Sequence, residues 1–401
     1  MEYKINQDET LFFEKFLILV MVLFFGFTSL RFGMVGIGEV ILLFFCVSQI
    51  LRQESILISL QDHIFSVFWI LFLYMVTLGF IINSIFDISL QSVSFDYKAY
   101  IVILFLCFTF ESIFKKRSSL NLNGLLRFIF FGGLIVVGIL YLFYVQGIYQ
   151  IFGYYLTYGG AEIFSPFAND YHQFAYFLSP LPFVGLYIIK NENRYGMKFI
   201  AALGIVLYIS AGIATSSNTL VSSWVNTTLI FFILMIWGKL KRQYKSTNLI
   251  LLFVCFVLLA LLFSYEGIIA IVKQFFEDSS NGEHRILLWI NALKAWKYSP
   301  IVGLGPGSYT GNVVFGGYEA HNTFLQILTQ GGILAALAYL VFIFRLIKVT
   351  RLNLYILCAT VTLIMYGFGI NDLRRTVLWF YFILFYFLCM NTEKEKAQRG
   401  A

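Results

Sequence analysis

Only 12% of the residues in this 401-residue chain are charged, whereas 60% are hydrophobic and 19% are aromatic. A soluble domain carries about 25% charged residues and could not bury this much apolar surface, so the composition excludes a soluble globular protein. The net charge of +7 reflects orientation in a membrane rather than a surface that binds nucleic acid.

Apolar runs long enough to cross a hydrocarbon core of about 30 Å recur along the whole chain. We predict a single transmembrane domain over 1–401, with an all-α polytopic fold of about twelve transmembrane helices. The predicted spans lie near residues 16–30, 34–51, 64–84, 99–114, 124–146, 173–190, 198–216, 219–238, 248–264, 321–344, 352–370 and 376–390.

Lysine and arginine residues indicate the orientation, because short cytoplasmic segments of membrane proteins are enriched in both. If the first residues are cytoplasmic, most of the 28 lysine and arginine residues fall in inner segments. This orientation places two elaborated loops, 147–172 and 265–320, on the outer side. Long loops concentrate binding and catalytic residues, so we expect the functional site at the outer face.

The loop 147–172 is rich in aromatic residues, which either form a belt at the membrane interface or stack against sugar rings. Glu162, Asp170 and His172 in or next to this loop could bind hydroxyl groups. The five cysteines lie within apolar runs and the chain has four histidines, so their spacing suggests neither disulfides nor a metal cluster. We therefore expect no metal site and no cofactor.

The loop 265–320 contains a helical pattern that begins at a capping box over 280–283. On a helical wheel, Asn291 and Lys294 lie opposite an apolar face that carries Arg285. The apolar residues of that face are Trp289, Ala292, Leu293 and Trp296. A guanidinium on an apolar face needs an anionic partner or an aromatic stack, so Arg285 binds an anion unless it forms a cation–π contact or extends to the membrane interface.

The segment 303–308, Gly-Leu-Gly-Pro-Gly-Ser, follows this helix. A nucleotide-binding fingerprint is excluded, because the segment does not follow a strand and contains a proline. Gly303 and Gly305 instead predict a tight turn. This turn either brings the backbone close to a ligand or is an ordinary loop turn.

His321 and Asn322 stand where the loop 265–320 re-enters the membrane. Ionisable residues at such a position are functional candidates, because inserting a charge into a membrane costs about 2.5–3.5 kcal/mol. At the start of a helix the macrodipole favours the neutral imidazole, which is suited to act as a general base. The alternative is that His321 only caps the helix.

Four segments together resemble the C-terminal signature of the O-antigen polymerase and O-antigen ligase superfamily: Arg285–Trp289, Gly303–Gly307, His321–Leu325 and Gly331–Ile333. The segment Phe167–Ala175, which includes Asn169 and His172, is similar to an earlier segment of the same proteins. The hydropathy layout extends the resemblance over essentially the full chain. These motifs do not separate polymerases from ligases.

The resemblance implies a metal-independent, inverting glycosyltransferase with a GT-C-like fold, at the outer (periplasmic) face of the bacterial inner membrane. Its partner would be an oligosaccharide linked to undecaprenyl diphosphate, held among membrane lipids. Arg285 would hold the diphosphate, because a guanidinium fork suits phosphate oxygens, and His321 would deprotonate the acceptor hydroxyl. Further contacts to diphosphate or sugar are expected from Asn169, His172, Asn218, Gly303, Gly305, Asn322, Arg374 and Arg375.

One departure from the family concerns the number of cations. Family ligases typically carry an arginine after a serine where this chain has Ser217-Asn218, and 147–172 contains no lysine or arginine. Arg374 and Arg375 could supply the missing charge, or they could form an interfacial charge pair partly neutralised by Asp372. Two lysines are weaker substitutes: Lys273 and Lys297.

We therefore predict a polymerase of a bacterial surface polysaccharide, built from O-antigen or capsule repeat units. It would transfer the growing glycan to the incoming lipid-linked unit, and a chain-length regulator protein is a possible further partner. The alternative is a ligase that transfers the glycan to lipid A core. A glycolipid flippase or secondary transporter is a remote alternative, because we place the five prolines in or near outer loops and the chain has no evident repeated halves.

Overall fold

Thirteen helices and two short hairpins form the part of the chain that the computed structural model describes: residues 7–32, 35–51, 63–85, 93–116, 121–159, 162–243, 280–307, 309–310 and 317–400. The helices are α1 (Gln7–Gly26), α2 (Ile37–Leu51), α3 (Ile64–Ile85), α4 (Val93–Lys116), α5 (Leu122–Val145), α6 (Tyr171–Leu178), α7 (Leu181–Asn191), α8 (Tyr195–Ala214), α9 (Asn218–Gln243), α10 (Ser280–Trp296), α11 (Thr323–Thr350), α12 (Leu354–Gly367) and α13 (Thr376–Gly400). The antiparallel hairpins are β1 (Arg31–Phe32) with β2 (Val35–Gly36), and β3 (Gln150–Ile151) with β4 (Tyr154–Tyr155).

Seven described helices are long and apolar enough to cross a membrane: α3, α4, α5, α8, α9, α11 and α13. This confirms the predicted all-α polytopic membrane fold. Every predicted span that falls on described residues contains a helix. The predicted span 248–264 lies outside the described residues, so the total of twelve stays a prediction.

The predicted span 173–190 is divided into two helices, α6 and α7, at Ser179 and Pro180. Proline has no amide hydrogen, so the helical hydrogen bonds cannot continue unbroken across it. Trp224 of α9 donates its Nε1 hydrogen to the Ser179 carbonyl at 2.8 Å. The break therefore fixes the start of α9 against α6.

α13 is the central helix of the bundle, because its side chains are buried on all sides over 377–385. Trp379 lies at the centre of an aromatic cluster, with ring centroids 4.8 Å from Trp69, 5.7 Å from Phe68 and 5.6 Å from Phe342. Aromatic pairs at such distances stabilise a core beyond their burial alone. This cluster holds α3 and α11 against α13.

α11 is interrupted at Gly332, whose φ of 68° and ψ of −168° are not helical. The backbone groups freed by this break bond to the segment that follows α10. Ile333 donates to the Pro300 carbonyl at 2.9 Å, and the Thr329 carbonyl accepts from Leu304 at 2.8 Å. The kink in α11 is thus completed by the neighbouring segment rather than by solvent.

That neighbouring segment, 300–307, lies between helices instead of at the periphery. Asn83 of α3 donates to the Gly303 carbonyl at 3.0 Å, and Asp96 of α4 accepts from the Gly307 amide at 2.9 Å. Gln330 of α11 donates to the Gly307 carbonyl at 2.7 Å. Irregular backbone is tolerated among transmembrane helices where its polar groups are satisfied in this way.

α10 confirms that the loop 265–320 contains a helix, but the predicted face is partly wrong. Asn291 is buried at 4% exposure, whereas Leu293 is 42% exposed. The packed face is centred on Leu288, Ala292 and Ala295, all fully buried, because α10 packs against α11. The small side chains of Ala292 and Ala295 allow α10 to approach α11 closely, so the packed face differs from the predicted one.

Candidate active site

Most of the predicted site residues meet at one end of the bundle, where α6, α9, α11 and α13 begin and α8 and α12 end. We call this the site end. His172 lies at its centre: its Nδ1 is 3.2 Å from Ser217 Oγ and 3.2 Å from the Tyr366 hydroxyl. Asp170 caps α6 by accepting from the His172 amide at 3.0 Å. One imidazole thus joins α6, the turn before α9 and α12.

The charges around His172 show which side chains share its surroundings. Burial lowers the pKa of its imidazole to about 4, and Asp170 opposes this shift. Arg375, Arg285 and His321 lower the pKa further, because each is close enough to disfavour a second positive charge. His172 is therefore neutral at pH 7, in a region of positive potential.

Arg375, at the start of α13, has unused hydrogen-bonding capacity. Its Nη2 is 3.6 Å from Asp170 Oδ2, and its guanidinium carbon is 5.9 Å from the centre of the Tyr176 ring. Its Nε is buried and has no hydrogen-bond partner in the part of the chain that the structure describes. Since a guanidinium has five N–H donors, Arg375 can donate further hydrogen bonds to an anionic ligand.

Arg374, its neighbour, is held by two carboxylates. Its Nη1 donates to Asp96 Oδ1 at 2.9 Å, and its Nη2 forms an ion pair with Glu319. Its guanidinium carbon also lies 4.9 Å from the centre of the Phe95 ring. This arginine joins α4 to the start of α13, and protein groups already neutralise its charge.

Asp372 forms no direct ion pair with Arg374 or Arg375 among the described contacts, although the charge of Arg375 acts on its carboxylate. It is buried, and its Oδ1 accepts from the Thr323 hydroxyl at 2.5 Å. Burial raises the pKa of Asp372 to about 7, whereas the hydrogen bond from Thr323 and the charge of Arg375 lower it. Asp372 thus tethers the start of α11 to the turn before α13.

His321 is exposed and immediately precedes the cap of α11. The cap is Asn322, whose Oδ1 accepts from the Leu325 amide at 3.0 Å and whose Nδ2 donates to the Phe368 carbonyl at 3.0 Å. The alternative that His321 caps the helix is therefore wrong. His321 has a φ of 47°, a left-handed conformation that costs roughly 1–2 kcal/mol for a residue with a side chain.

Left-handed backbone recurs in the segments that form the site end. Among the described residues, four other than glycine have positive φ, and three of them belong to these segments: Phe167 (53°), Ser216 (52°) and His321 (47°). Residues in such conformations cluster at functional sites, where the surrounding structure enforces them. The strain therefore supports a functional role for this end of the bundle.

Arg285 lies in the first half of α10 and lines a pocket of about 360 Å³ between α9, α10 and α12. Asn218 lines the same pocket, and its predicted contact to substrate stays a prediction. None of the described residues forms an ion pair with Arg285 or presents it with an aromatic face. Of the two substitute lysines, Lys297 is exposed beyond the end of α10 and Lys273 lies outside the described residues.

Gly303 and Gly305 have φ values of 75° and 91°, as expected for a tight turn. The close approach that they permit is to protein backbone. A Cβ atom on Gly303 would lie 2.3 Å from the Gln330 carbonyl group, and one on Gly305 would lie 2.8 Å from the Cα atom of Phe80. Both glycines are therefore needed for packing against α11 and α3.

Asn169 also bonds to protein groups. Its Nδ2 donates to the Thr28 carbonyl at 3.0 Å, and its Oδ1 accepts from Ser29 Oγ at 2.8 Å. These bonds fasten the segment before α6 to the segment after α1. Asn169 thus supports the backbone that carries His172.

Tyr366, Ser217 and Asp96 were missed by sequence reasoning. Tyr366 lies within an apolar run, and nothing in the sequence around it distinguishes it from the rest of the 25 tyrosines. Asp96 precedes a predicted span, and its carboxylate could have been recognised as a polar group that needs buried partners. Ser217 was considered only as the neighbour of Asn218.

Residues 203–340 match the family model described as O-antigen ligase. No curated protein has a significant match to the chain. The matched range includes Asn218, Arg285 and His321, but neither His172 nor Arg375. The match supports the resemblance to the O-antigen polymerase and ligase superfamily and a role in assembling O-antigen or a related polysaccharide.

Proposed function

We propose that this chain is a membrane glycosyltransferase that polymerises lipid-linked repeat units of a bacterial surface polysaccharide. The observation that carries this proposal is the charge at the site end: Arg375 lies 3.6 Å from Asp170, which caps the helix of His172, and the charges of Arg285, Arg375 and His321 all lower the pKa of His172. These side chains come from α10, the start of α13 and the segment before α11. We assign the fold to the GT-C-like class and the site end to the periplasmic face of the inner membrane.

The donor in this proposal is a glycan on undecaprenyl diphosphate, and Arg285 and Arg375 bind the diphosphate. Negative charge grows on the diphosphate as the glycosidic bond breaks, so fixed cations stabilise the transition state more than the ground state. Arg375 retains a buried, unpartnered Nε for this purpose. Arg374 is left out of the anion site, because Asp96 and Glu319 already neutralise it.

His321 acts in this proposal as the general base. Its imidazole takes the proton of an acceptor hydroxyl while that oxygen forms a bond to the anomeric carbon of the donor. The bond from the anomeric carbon to the diphosphate oxygen breaks on the opposite side, so the configuration inverts. His321 is exposed and its backbone is held in position by the capped start of α11, as a base that must reach a substrate requires.

A ligase is the second candidate, because the matching family model bears that description. Polymerase and ligase share the donor, the anion site and the base, and they differ in the acceptor. Purified protein in proteoliposomes with a lipid-linked repeat unit separates the two. We expect a ladder of polymer without added lipid A core; transfer only onto lipid A core indicates a ligase, and no transfer in either case contradicts the proposal.

A further inference from the structure

α9 carries a polar face although it is long and apolar enough to span a membrane. Polar side chains form two adjacent rows along its first turns, and within each row they are spaced four residues apart. The exposed row is Asn218, Ser222 and Asn226, and the buried row is Thr219, Ser223 and Thr227. At 1.5 Å per residue, the exposed row runs about 12 Å along the helix. Asn226 Nδ2 donates to Ser222 Oγ at 3.3 Å, but the remaining donors and acceptors of the row are costly against lipid and favour a polar or hydrated neighbour.

The neighbour of this face is the 360 Å³ pocket between α9, α10 and α12. Five polar residues of α9 line one wall: Asn218, Thr219, Ser222, Ser223 and Asn226. Arg285 and Trp289 line the wall formed by α10. Met365 of α12 and Phe368, which follows α12, line a third wall. A pocket of this volume lies in the lower part of the range of about 300–1,000 Å³ typical of small-ligand sites.

Two polar atoms in the lining have no hydrogen-bond partner among the described residues. Thr219 is 9% exposed, and its Oγ1 is buried without a hydrogen bond. The indole Nε1 of Trp289, on the opposite wall, is also buried without one. Buried polar atoms are nearly always hydrogen-bonded in proteins, so these two indicate a partner that is a ligand or water.

The chemistry of the lining selects among ligands. Amide and hydroxyl groups both donate and accept hydrogen bonds, which matches the hydroxyls of a sugar. An isoprenoid chain would leave these groups unsatisfied, and a diphosphate needs more positive charge than Arg285 alone supplies. An indole such as Trp289 offers apolar surface for the C–H face of a sugar ring.

We propose that this pocket binds an uncharged sugar ring of the substrate, with Ser222 and Asn226 bonding to its hydroxyls and Trp289 packing against it. The proposal rests on the proposed function, since it gives one sugar a place next to the anion site at Arg285. That sugar comes from either the donor glycan or the acceptor glycan, which offer the same chemistry.

Cysteine labelling tests the pocket without requiring turnover. The full chain, with its five native cysteines replaced by alanine, carries Ser222→Cys in the pocket or Val221→Cys, an exposed neighbour outside it, as the matched control. We expect a water-soluble methanethiosulfonate reagent to modify Ser222→Cys at least about tenfold faster, because thiolates form in water and not in lipid. Equal slow labelling of both variants overturns the proposal.

Protection from labelling identifies the ligand. The probes are the lipid-linked repeat unit, the lipid-linked polymer, the oligosaccharide released from the repeat unit, and polyprenyl diphosphate without sugar. We expect the glycan-bearing probes to slow labelling of Ser222→Cys and bare polyprenyl diphosphate to leave it unchanged. Stronger protection by the single repeat unit assigns the acceptor sugar, and stronger protection by the polymer assigns the donor sugar. No protection, or equal protection by bare polyprenyl diphosphate, overturns the proposal.

A kinetic arm separates binding from structural support. We expect Asn226→Leu to raise the KM for one glycan substrate about tenfold, the loss typical of one or two hydrogen bonds, with kcat little changed. Val221→Leu should leave KM unchanged. Lower abundance of Asn226→Leu with a normal KM contradicts the sugar assignment. A wild-type protein that makes no polymer contradicts the proposed function, while the labelling result still decides the pocket.

Discussion

Two polar regions of this apolar chain lie at the same end of the bundle, but their polar groups have different partners. Around the segment 300–307, Asp96 accepts from Arg374, the Gly307 amide and Gln330 at 2.8–2.9 Å. Gln330 also accepts from the Tyr100 hydroxyl at 2.6 Å. These polar groups satisfy one another and the irregular backbone, so the region is complete without a ligand.

Around His172 and the pocket, several polar groups have no hydrogen-bond partner within the described ranges. The buried, unpartnered atoms include Arg375 Nε, Thr219 Oγ1 and Trp289 Nε1. An unsatisfied buried polar atom costs roughly 1–3 kcal/mol, so these atoms are candidate contacts for a substrate group. The polar groups around 300–307 bond to one another and to backbone, whereas around His172 and the pocket these three buried atoms lack a partner among the described residues.

The largest effect is expected at His321. Replacement by alanine or glutamine should lower turnover about 10²–10⁴-fold, the usual contribution of a general base, because neither side chain can take the proton. The measurement is polymer formed per folded protein, with donor binding in parallel. Asn353→Ala, which removes the cap of α12 at the opposite end, should cost about 1 kcal/mol of stability and keep turnover. Near-normal polymer from His321→Gln would remove His321 as the base.

The next effect concerns the two proposed anion-binding arginines. Arg285→Ala and Arg375→Ala should each lower kcat roughly 10²–10³-fold, as the loss of one electrostatic donor does, without lowering abundance. Lysine should restore activity only in part, because it lacks the planar fork. Lys297→Ala is the control, since Lys297 is exposed beyond α10. Full activity of Arg375→Ala together with loss in Lys297→Ala would relocate the anion site.

Replacing Arg374 should affect stability rather than turnover, unlike replacing Arg375. This contrast tests whether the region around 300–307 differs from the region around His172. Arg374→Gln leaves Asp96, at 2% exposure, as an uncompensated buried charge, which typically costs about 3–5 kcal/mol. We expect lower thermal stability but normal turnover of the surviving folded protein. Adding Asp96→Asn should recover much of the lost stability. Normal stability with lost turnover in Arg374→Gln would place Arg374 in the substrate site. It would contradict the assignment of Arg374 to the polar groups that only support the fold.

Sequence patterns predicted the helices better than their contacts. Long apolar runs define α3 and α11 because insertion into a membrane depends on composition along the chain. The break at Ser179 and Pro180 and the kink at Gly332 could be suspected from residue type alone. That the kink receives hydrogen bonds from the segment after Pro300 depends on contacts between distant segments, which hydropathy does not encode.

The sequence predicted which residues belong to the candidate site, and their roles stay a prediction; it could not predict their contacts. Arg285 and His321 were singled out as charges in an apolar chain, and the charges of both lower the pKa of His172. Arg374 and Arg375 are identical in type and adjacent, so the sequence could not separate them. Arg374 pairs with Asp96, which lies 278 positions away in the chain. Arg375 pairs with Asp170. Only the folded structure brings these carboxylates to the two arginines.

The smallest expected effect concerns Asp372, which lies at the site end but bonds to protein groups. Its folded-state pKa of about 7 is above the usual aspartate pKa of about 3.8, so its favourable contribution to stability is present below pH 4 and is lost as pH rises through 7. Asp372→Asn cannot ionise but can still accept from Thr323, so it should melt a few degrees above wild type at pH 8. The difference should shrink towards pH 5, and turnover per folded protein should stay near normal at both pH values. Thermal unfolding in detergent measures the first point, and the polymer assay measures the second. A large loss of turnover in Asp372→Asn would show that a carboxylate with protein partners also serves the substrate, and the distinction between the two regions would fail at this residue.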